Sequence, residues 1–153
     1  MEQYTLTRAT ARTLEEWIRL YEKTTGDEVD VPKGFVIYYL PERGFALLKA
    51  DMDGEMVIIY HVCGDAKFWR DMAELLAAAN GLKYLATICT RNIDAYIRFW
   101  HWQVVKEYNQ NNHKRYICQD TSGRKVVITH RGYNEKKNRP DYWVTQYLQE
   151  SVV

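Results

Sequence analysis

Apolar and polar positions recur along this chain with two different periods, which predict its first elements. Residues 4–8 alternate between apolar and polar, and this alternation predicts a strand. Thr13 and Glu16 have the spacing of a capping box, in which a hydroxyl and a carboxylate accept from free amides at a helix start. Apolar residues follow at the i, i+3, i+4 spacing of a helix: Trp17, Leu20 and Tyr21. Gly26 stands where such a helix ends in a left-handed cap.

Three strand-like runs follow this helix at residues 35–40, 45–49 and 56–62. Pro41 and Gly44 end the first run. Asp53-Gly54 is a strong hairpin signal between the second and third runs. Residues 56–62 are apolar almost throughout, which is typical of a central strand buried on both faces. The pattern therefore predicts three antiparallel strands.

A second helix is predicted from Asp65, a good N-cap residue, to the terminator Asn80-Gly81. Its predicted apolar stripe consists of Phe68, Met72, Leu75, Leu76 and Ala79. An apolar strand follows at residues 82–89. Strand, helix and strand joined this tightly imply a parallel crossover. We therefore expect strands 56–62 and 82–89 to lie side by side and to separate near His61, which would open a cleft.

The rest of the chain is predicted as a helix, a hairpin and a short final helix. Asn92 opens the helix, whose apolar stripe is Ile93, Tyr96, Ile97 and Trp100. Segments 115–119 and 125–129 flank a turn at residues 120–123, which predicts the hairpin. A short amphipathic helix is expected after Pro140. We expect the helices that start at Asp65 and at Asn92 to bury most of their apolar stripes. The residues expected to be buried are Phe68, Met72, Leu75, Ile93, Tyr96, Ile97 and Trp100.

Length and composition indicate one globular α/β domain of the α+β type covering residues 1–153. Apolar residues make up 46% of the chain and charged residues 27%. No apolar run approaches the roughly 20 residues that cross a bilayer, and residues 1–11 lack a signal-peptide core. We therefore expect a cytoplasmic protein without membrane contact. The three cysteines are widely spaced and form no CxxC pair, so a disulfide framework is not expected.

Charge is concentrated in one segment, since residues 105–140 contain nine Lys or Arg and three Asp or Glu. Such a segment either binds an anionic partner, including nucleic acid, or is an ordinary solvated hairpin. The sequence alone leaves both interpretations open.

The element order resembles the GNAT acyltransferase family over residues 4–130. That order is strand, helix, three antiparallel strands, helix, strand, helix and hairpin. The best local match is the segment Asn92-Ile-Asp-Ala-Tyr-Ile-Arg-Phe99, which is similar to the family's Asn-x-x-Ala-x-x-apolar-Tyr segment. The resemblance implies a mixed sheet, acetyl-CoA as the acyl donor and an amine, on a small molecule or a protein, as the acceptor.

The resemblance also implies a cradle for the CoA pyrophosphate at the start of the second helix. The corresponding positions here are Val62, Cys63, Gly64, Lys67 and Arg70, together with Asn92 of the matched segment. The family places two glycines in this cradle, where this chain has Arg70 and Met72. Lys67 and Arg70 could still supply positive charge to phosphates.

Acyl transfer also needs a base and an acid. The tyrosine that the family often uses as its general acid corresponds to Phe99, which has no proton to donate. Tyr96 or Tyr108 would have to replace it. Core packing is the alternative role for Tyr96. His61, near the end of the central strand, titrates near neutrality and is the candidate base. A structural role for it stays open.

Weaker candidate groups do not change this picture. Glu55, His101 and His113 are further titratable residues with no partner visible in the sequence. His61, Cys63 and Cys89 are residue types that bind zinc, but their spacing fits no zinc motif, and no metal site is expected.

Two functions are therefore expected from the sequence. The first is an N-acyltransferase that uses acetyl-CoA. The second is a GNAT-like domain without catalysis that serves as a binding or structural module, such as a phage-encoded accessory protein.

Overall fold

A computed structural model of the chain describes residues 11–149 as three helices packed on one eight-stranded sheet. The helices are α1 (Leu14–Thr25), α2 (Ala66–Ala79) and α3 (Ile93–Trp100). The strands are β1 (Val36–Leu40), β2 (Gly44–Asp51), β3 (Met56–Gly64), β4 (Tyr84–Cys89), β5 (Gln103–Gln110), β6 (His113–Gln119), β7 (Lys125–Asn134) and β8 (Arg139–Tyr147). The mixed α+β class is confirmed. The strand predicted at residues 4–8 lies outside the described residues.

The sheet has the order β1-β2-β3-β4-β8-β7-β6-β5, and only β3 and β4 run parallel. The predicted parallel pairing of these two strands is confirmed, with α2 as their crossover. Their register begins at Met56 opposite Tyr84 and ends at Ile59 opposite Thr87. Beyond that point β3 and β4 continue but no longer pair with each other, so they separate near His61 as expected.

Local signals for α1 are confirmed. The Thr13 hydroxyl accepts from the Glu16 amide at 3.1 Å, and the Glu16 carboxylate accepts from the Thr13 amide at 2.8 Å. Gly26 takes the left-handed conformation at the other end, with φ 75°. The Trp17 ring is buried, and its indole N–H donates to the Pro41 carbonyl. These contacts fix α1 against the sheet.

A β-bulge in β3 decides the direction of the His61 side chain. Leu48 of β2 pairs with Ile59, but Ala46 pairs with Val62, so Tyr60 and His61 together face the single residue between Ala46 and Leu48. Consecutive side chains of a regular strand point to opposite faces, whereas these two rings lie 4.0 Å apart between centroids. The bulge therefore sets His61 beside Tyr60 instead of beside Ile59.

The three helices cover the two faces of the sheet unequally. Helix α1 packs on Phe45 and Leu47, while α2 packs on Ala46 and Leu48, which alternate with them. Helix α3 packs on a cluster that includes Val144. Val144 lies opposite Thr87, and Gln146 lies opposite Leu85, a residue of the α2 cluster. Opposed residues in a sheet share a face, so α3 lies on the same face as α2. We refer to the α1 face and the α2–α3 face.

The predicted stripe of α2 is wrong in part. The residues that α2 buries are Trp69, Ala73 and Ala77, whereas Leu75 is 65% exposed. Apolar residues cover most of this helix, so their spacing leaves its rotation open. The small residues Ala73 and Ala77 let the helix approach the sheet closely, and this packing decides the rotation. Of the other predicted core residues, Ile93 and Ile97 are buried, and the remainder are half-buried: Phe68, Met72, Tyr96 and Trp100.

The predicted helix after Pro140 is also wrong, because residues 139–147 form β8. This strand lies between β4 and β7 and hydrogen-bonds to both. Pro140 is tolerated near its start, where a missing amide costs least. The predicted hairpin forms as β6 and β7, but β5 and β8 extend it to four antiparallel strands. Within residues 11–149, no helix is long and apolar enough to cross a membrane.

Candidate functional site

A cleft of about 390 Å³ opens where β3 and β4 separate. The ends of both strands line it, through residues 59–62 of β3 and residues 87–91 at and beyond the end of β4. The Thr87 hydroxyl donates to the Ile59 carbonyl at 2.9 Å. This bond lies at the end of the β3–β4 pairing, and the cleft begins beyond it.

Residues from both faces of the sheet line the cleft. On the α1 face, Tyr21 and Thr25 of α1 line it, opposite Arg131 of β7. On the α2–α3 face, the lining residues are Ala66 and Arg70 of α2 with Tyr96, Phe99 and Trp100 of α3. The gap between β3 and β4 is therefore bordered by side chains from both faces.

His61 is 5% exposed at the α1-face end of this cleft. Its Nδ1 lies 2.7 Å from the Tyr21 hydroxyl, and its Nε2 lies 3.5 Å from a carboxylate oxygen of Asp30. Burial lowers the pKa of His61, and Asp30 opposes this shift in part. The ring is therefore neutral at pH 7. Asp30 accepts only, so the ring proton belongs on Nε2, and Nδ1 accepts from Tyr21.

Tyr21 has the complementary protonation behaviour. Burial raises the pKa of its hydroxyl, Asp27 adds to the shift, and Arg91 opposes it. The hydroxyl therefore keeps its proton at neutral pH and donates it to Nδ1 of His61. The sequence points to His61 but not to Tyr21, because Tyr21 lies in the apolar stripe of α1, where packing is the expected role. Asp30 carries no sequence signal, since a loop brings it to His61.

Tyr96 and Tyr108, the two candidate acids, lie in different places. Tyr96 lines the cleft and packs against the α3 cluster, so both of its expected roles are compatible with its position. Burial raises the pKa of Tyr96, which keeps its hydroxyl protonated. Tyr108 lies on the edge strand β5, away from the cleft, with Lys106 and Arg115 over its ring. Phe99 lines the cleft and is 57% exposed.

The six expected cofactor-binding residues divide into two groups. Val62 and Arg70 line the cleft, while the other four do not: Cys63, Gly64, Lys67 and Asn92. Each of the four has another position or role. Cys63 packs against the α1 cluster, and Lys67 is exposed. A Cβ on Gly64 would meet the Arg43 carbonyl at 2.3 Å, so strand packing requires glycine there. The Asn92 side chain caps α3 by accepting from the Ala95 amide.

A carboxylate, Asp65, already caps the N-terminus of α2. Asp65 accepts from the Phe68 amide at 3.1 Å and forms a 2.6 Å ion pair with Arg43. Its side chain is 7% exposed. Arg70, one turn further, donates to Gln146 and Glu74. The positive end of this helix is thus partly neutralised by its own N-cap.

Two polar groups in the wall of the cleft are buried without a hydrogen-bond partner in the part of the chain that the structure describes. They are Nε2 of His61, whose contact with Asp30 at 3.5 Å is an electrostatic contact rather than a hydrogen bond, and the indole Nε1 of Trp100. Buried groups of this kind are rare in folded proteins. Among residues 11–149, no group of three or more His, Cys, Asp or Glu side chains is placed to hold a metal ion.

Comparison with known protein families, with curated proteins and with solved structures finds no match to this chain.

Proposed function

We propose that this chain transfers an acyl group from an acyl thioester, acetyl-CoA, to an amine. The observation that carries the proposal is the cleft between parallel strands, which residues from both faces of the sheet line. A two-substrate transfer needs the amine and the thioester to meet with their reacting atoms in contact. Entry from opposite faces achieves this, and it agrees with the resemblance to the GNAT acyltransferases.

The α2–α3 face is the proposed side for the acyl donor. Ala66 leaves room beside the first turn of α2, and Arg70 supplies a positive charge at the wall. The helical hydrogen-bond pattern provides no acceptor for the amides of Ala66 and Lys67. These amides can therefore donate to a bound anion. Arg43 compensates the charge of Asp65, which reduces its repulsion of phosphate.

The α1 face is the proposed side for the amine, because Tyr21, His61 and Asp30 form a proton path there. As the amine nitrogen bonds to the thioester carbon, its proton passes to the Tyr21 oxygen. The Tyr21 proton then passes to Nδ1 of His61 over 2.7 Å. Asp30 stabilises the resulting imidazolium from the Nε2 side.

Tyr96 is the proposed acid on the opposite face. The carbon–sulfur bond breaks as the carbon–nitrogen bond forms, and the departing thiolate takes the hydroxyl proton of Tyr96. The raised pKa of Tyr96 keeps that proton available at neutral pH. It also makes the transfer less favourable, so the step depends on the thiolate being held in contact with this hydroxyl.

A non-catalytic binding module is the second candidate, and the Asp65–Arg43 pair is the observation that favours it. A buried carboxylate at the helix start repels phosphates, and the usual glycines are replaced by Arg70 and Met72. In that case the cleft binds a ligand without transforming it.

Titration calorimetry with acetyl-CoA, followed by a thiol-release assay with amines, separates the two candidates. We expect binding, and a release of CoA that depends on the amine and falls in Tyr96→Phe. Tyr39→Phe is the matched control, since its hydroxyl lies outside the cleft and donates to the Arg12 carbonyl. Binding without release by any amine would favour the module, and no binding would reject the proposed donor.

A further inference from the structure

The α1-face mouth of the cleft has acidic residues on one wall and basic residues on the other. The acidic wall is the segment after α1, where Asp27 and Glu28 line the cleft and Asp30 lies beside His61. The basic wall is formed by Arg91, after β4, and by Arg131 of β7, while Lys136 of the β7–β8 hairpin reaches across to donate to the Gly26 carbonyl. A ligand with one positive and one negative group matches this separation of charge.

Some of these charged side chains are not neutralised by ion pairs within the protein. Asp27 pairs with Lys137 at 3.1 Å, and both side chains are mostly buried. Arg131 is 3.7 Å from Asp141, but its side chain remains 45% exposed. Arg91 is exposed and has no ion-pair partner among residues 11–149. Two guanidinium groups are thus available at this mouth.

Both guanidinium groups lie near the proposed proton path. Arg91 is close enough to Tyr21 to oppose the effect of burial on its pKa. Arg131 does the same at Tyr60, whose ring lies against that of His61. Arg91, Arg131 and Tyr21 all line the cleft, so both guanidinium groups lie near the position where an amine would meet Tyr21.

We propose that the acceptor is a small amine that also carries an anionic group, with the anion held by Arg91 and Arg131. The amine then points to Tyr21 and to the acidic wall, where Asp30 borders His61. Guanidinium forms paired hydrogen bonds with carboxylate and with phosphate alike, so either anion fits this chemistry. This inference rests on the proposed function, because it names the acceptor class of the same cleft.

Binding of matched amines tests the inference without requiring turnover. The probes are propylamine, β-alanine and ethanolamine phosphate, which present an amine alone, with a carboxylate and with a phosphate. Dissociation constants are measured by NMR titration of the full chain. At least one anionic amine should bind about tenfold or more tightly than propylamine. The tighter of the two anionic amines identifies the source of the negative charge.

Substitution of the two arginines then locates the site. Arg91→Met and Arg131→Met should each remove most of the preference for the anionic amine. Arg98→Met is the matched control, because Arg98 is exposed on α3 and does not line the cleft. Equal binding of all three amines, or an equal loss in Arg98→Met, would overturn the inference.

The same variants keep this inference separate from the proposed transfer. Affinity for acetyl-CoA is measured in parallel and should be unchanged in Arg131→Met, which lies on the opposite face. If native protein binds the anionic amine but not acetyl-CoA, the acceptor site stands and the proposed transfer fails. If it binds acetyl-CoA but does not prefer the anionic amine, the acceptor class fails alone.

Discussion

The hydroxyl of Tyr21 and Nδ1 of His61 lie 2.7 Å apart, although 40 residues separate them in the chain. Helix α1 supplies the first group, and the bulged strand β3 supplies the second. The contact forms on the α1 face because the bulge turns His61 away from Ile59. Both groups line the cleft, and the tyrosine is the less buried of the two.

Removing the Tyr21 hydroxyl is expected to slow transfer and, because it leaves the buried Nδ1 of His61 unpaired, to lower the free energy of unfolding by about 1–3 kcal/mol. In Tyr21→Phe the proposed proton path is broken, and the rate should fall by about 10²-fold or more, as is usual for loss of acid–base catalysis. The rate of amine-dependent CoA release measures this. An unchanged rate in Tyr21→Phe would remove Tyr21 from the path.

Stability is expected to fall as the pH drops below about 6.5, the ordinary pKa of histidine. Because burial lowers the pKa of His61 in the folded state, the unfolded chain takes up the proton first, and acid favours unfolding. The loss continues until the pH is below the folded-state pKa. Urea unfolding of native protein and of His61→Gln between pH 5 and pH 8 measures this, and the variant should lose part of the slope.

His101→Asn is the matched control for that titration. His101 is exposed and takes a left-handed conformation, which asparagine tolerates. This variant should keep the native slope. A slope in His61→Gln equal to that of the control would show that His61 is not the group responsible.

The corrected rotation of α2 predicts opposite outcomes at two apolar positions. Trp69 is 1% exposed and its indole N–H donates to the Arg43 carbonyl, so Trp69→Ala should lower the free energy of unfolding by about 3–5 kcal/mol. Leu75→Ala should change it by less than about 0.5 kcal/mol, because Leu75 lies on the surface. Denaturant unfolding measures both. A large loss in Leu75→Ala would support the original stripe instead.

Neutralising the cap of α2 is expected to tighten the binding of acetyl-CoA. Asp65→Asn keeps an N-cap acceptor for the Phe68 amide but removes the negative charge beside the proposed phosphate position. Calorimetry should show a lower dissociation constant, with a larger difference at low salt. Asp53→Asn is the control, since this carboxylate is exposed in the turn after β2 and lies outside the cleft lining. Equal affinity in native protein and Asp65→Asn would place the phosphates elsewhere.

Local signals in the sequence determined several features that do not depend on tertiary contacts. The capping box at Thr13 and the left-handed Gly26 follow from hydrogen bonding and sterics within a few residues. The caps Asp65 and Asn92 are of the same kind. The parallel pairing of β3 with β4 followed from an apolar run, a short crossover helix and a second apolar run. These features depend on neighbours in the chain, so periodicity and spacing predict them.

Tertiary packing decided the features that depend on distant residues. Segment 139–147 became a central strand because β4 and β7 both hydrogen-bond to it, a constraint absent from its own pattern. Trp69 replaced Leu75 in the core because the sheet set the rotation of α2. The bulge at Tyr60 and His61 depends on pairing with β2, so the sequence identified His61 but not its partners. Tyr21 and Asp30 reach it only because α1 and the following loop pack on that face.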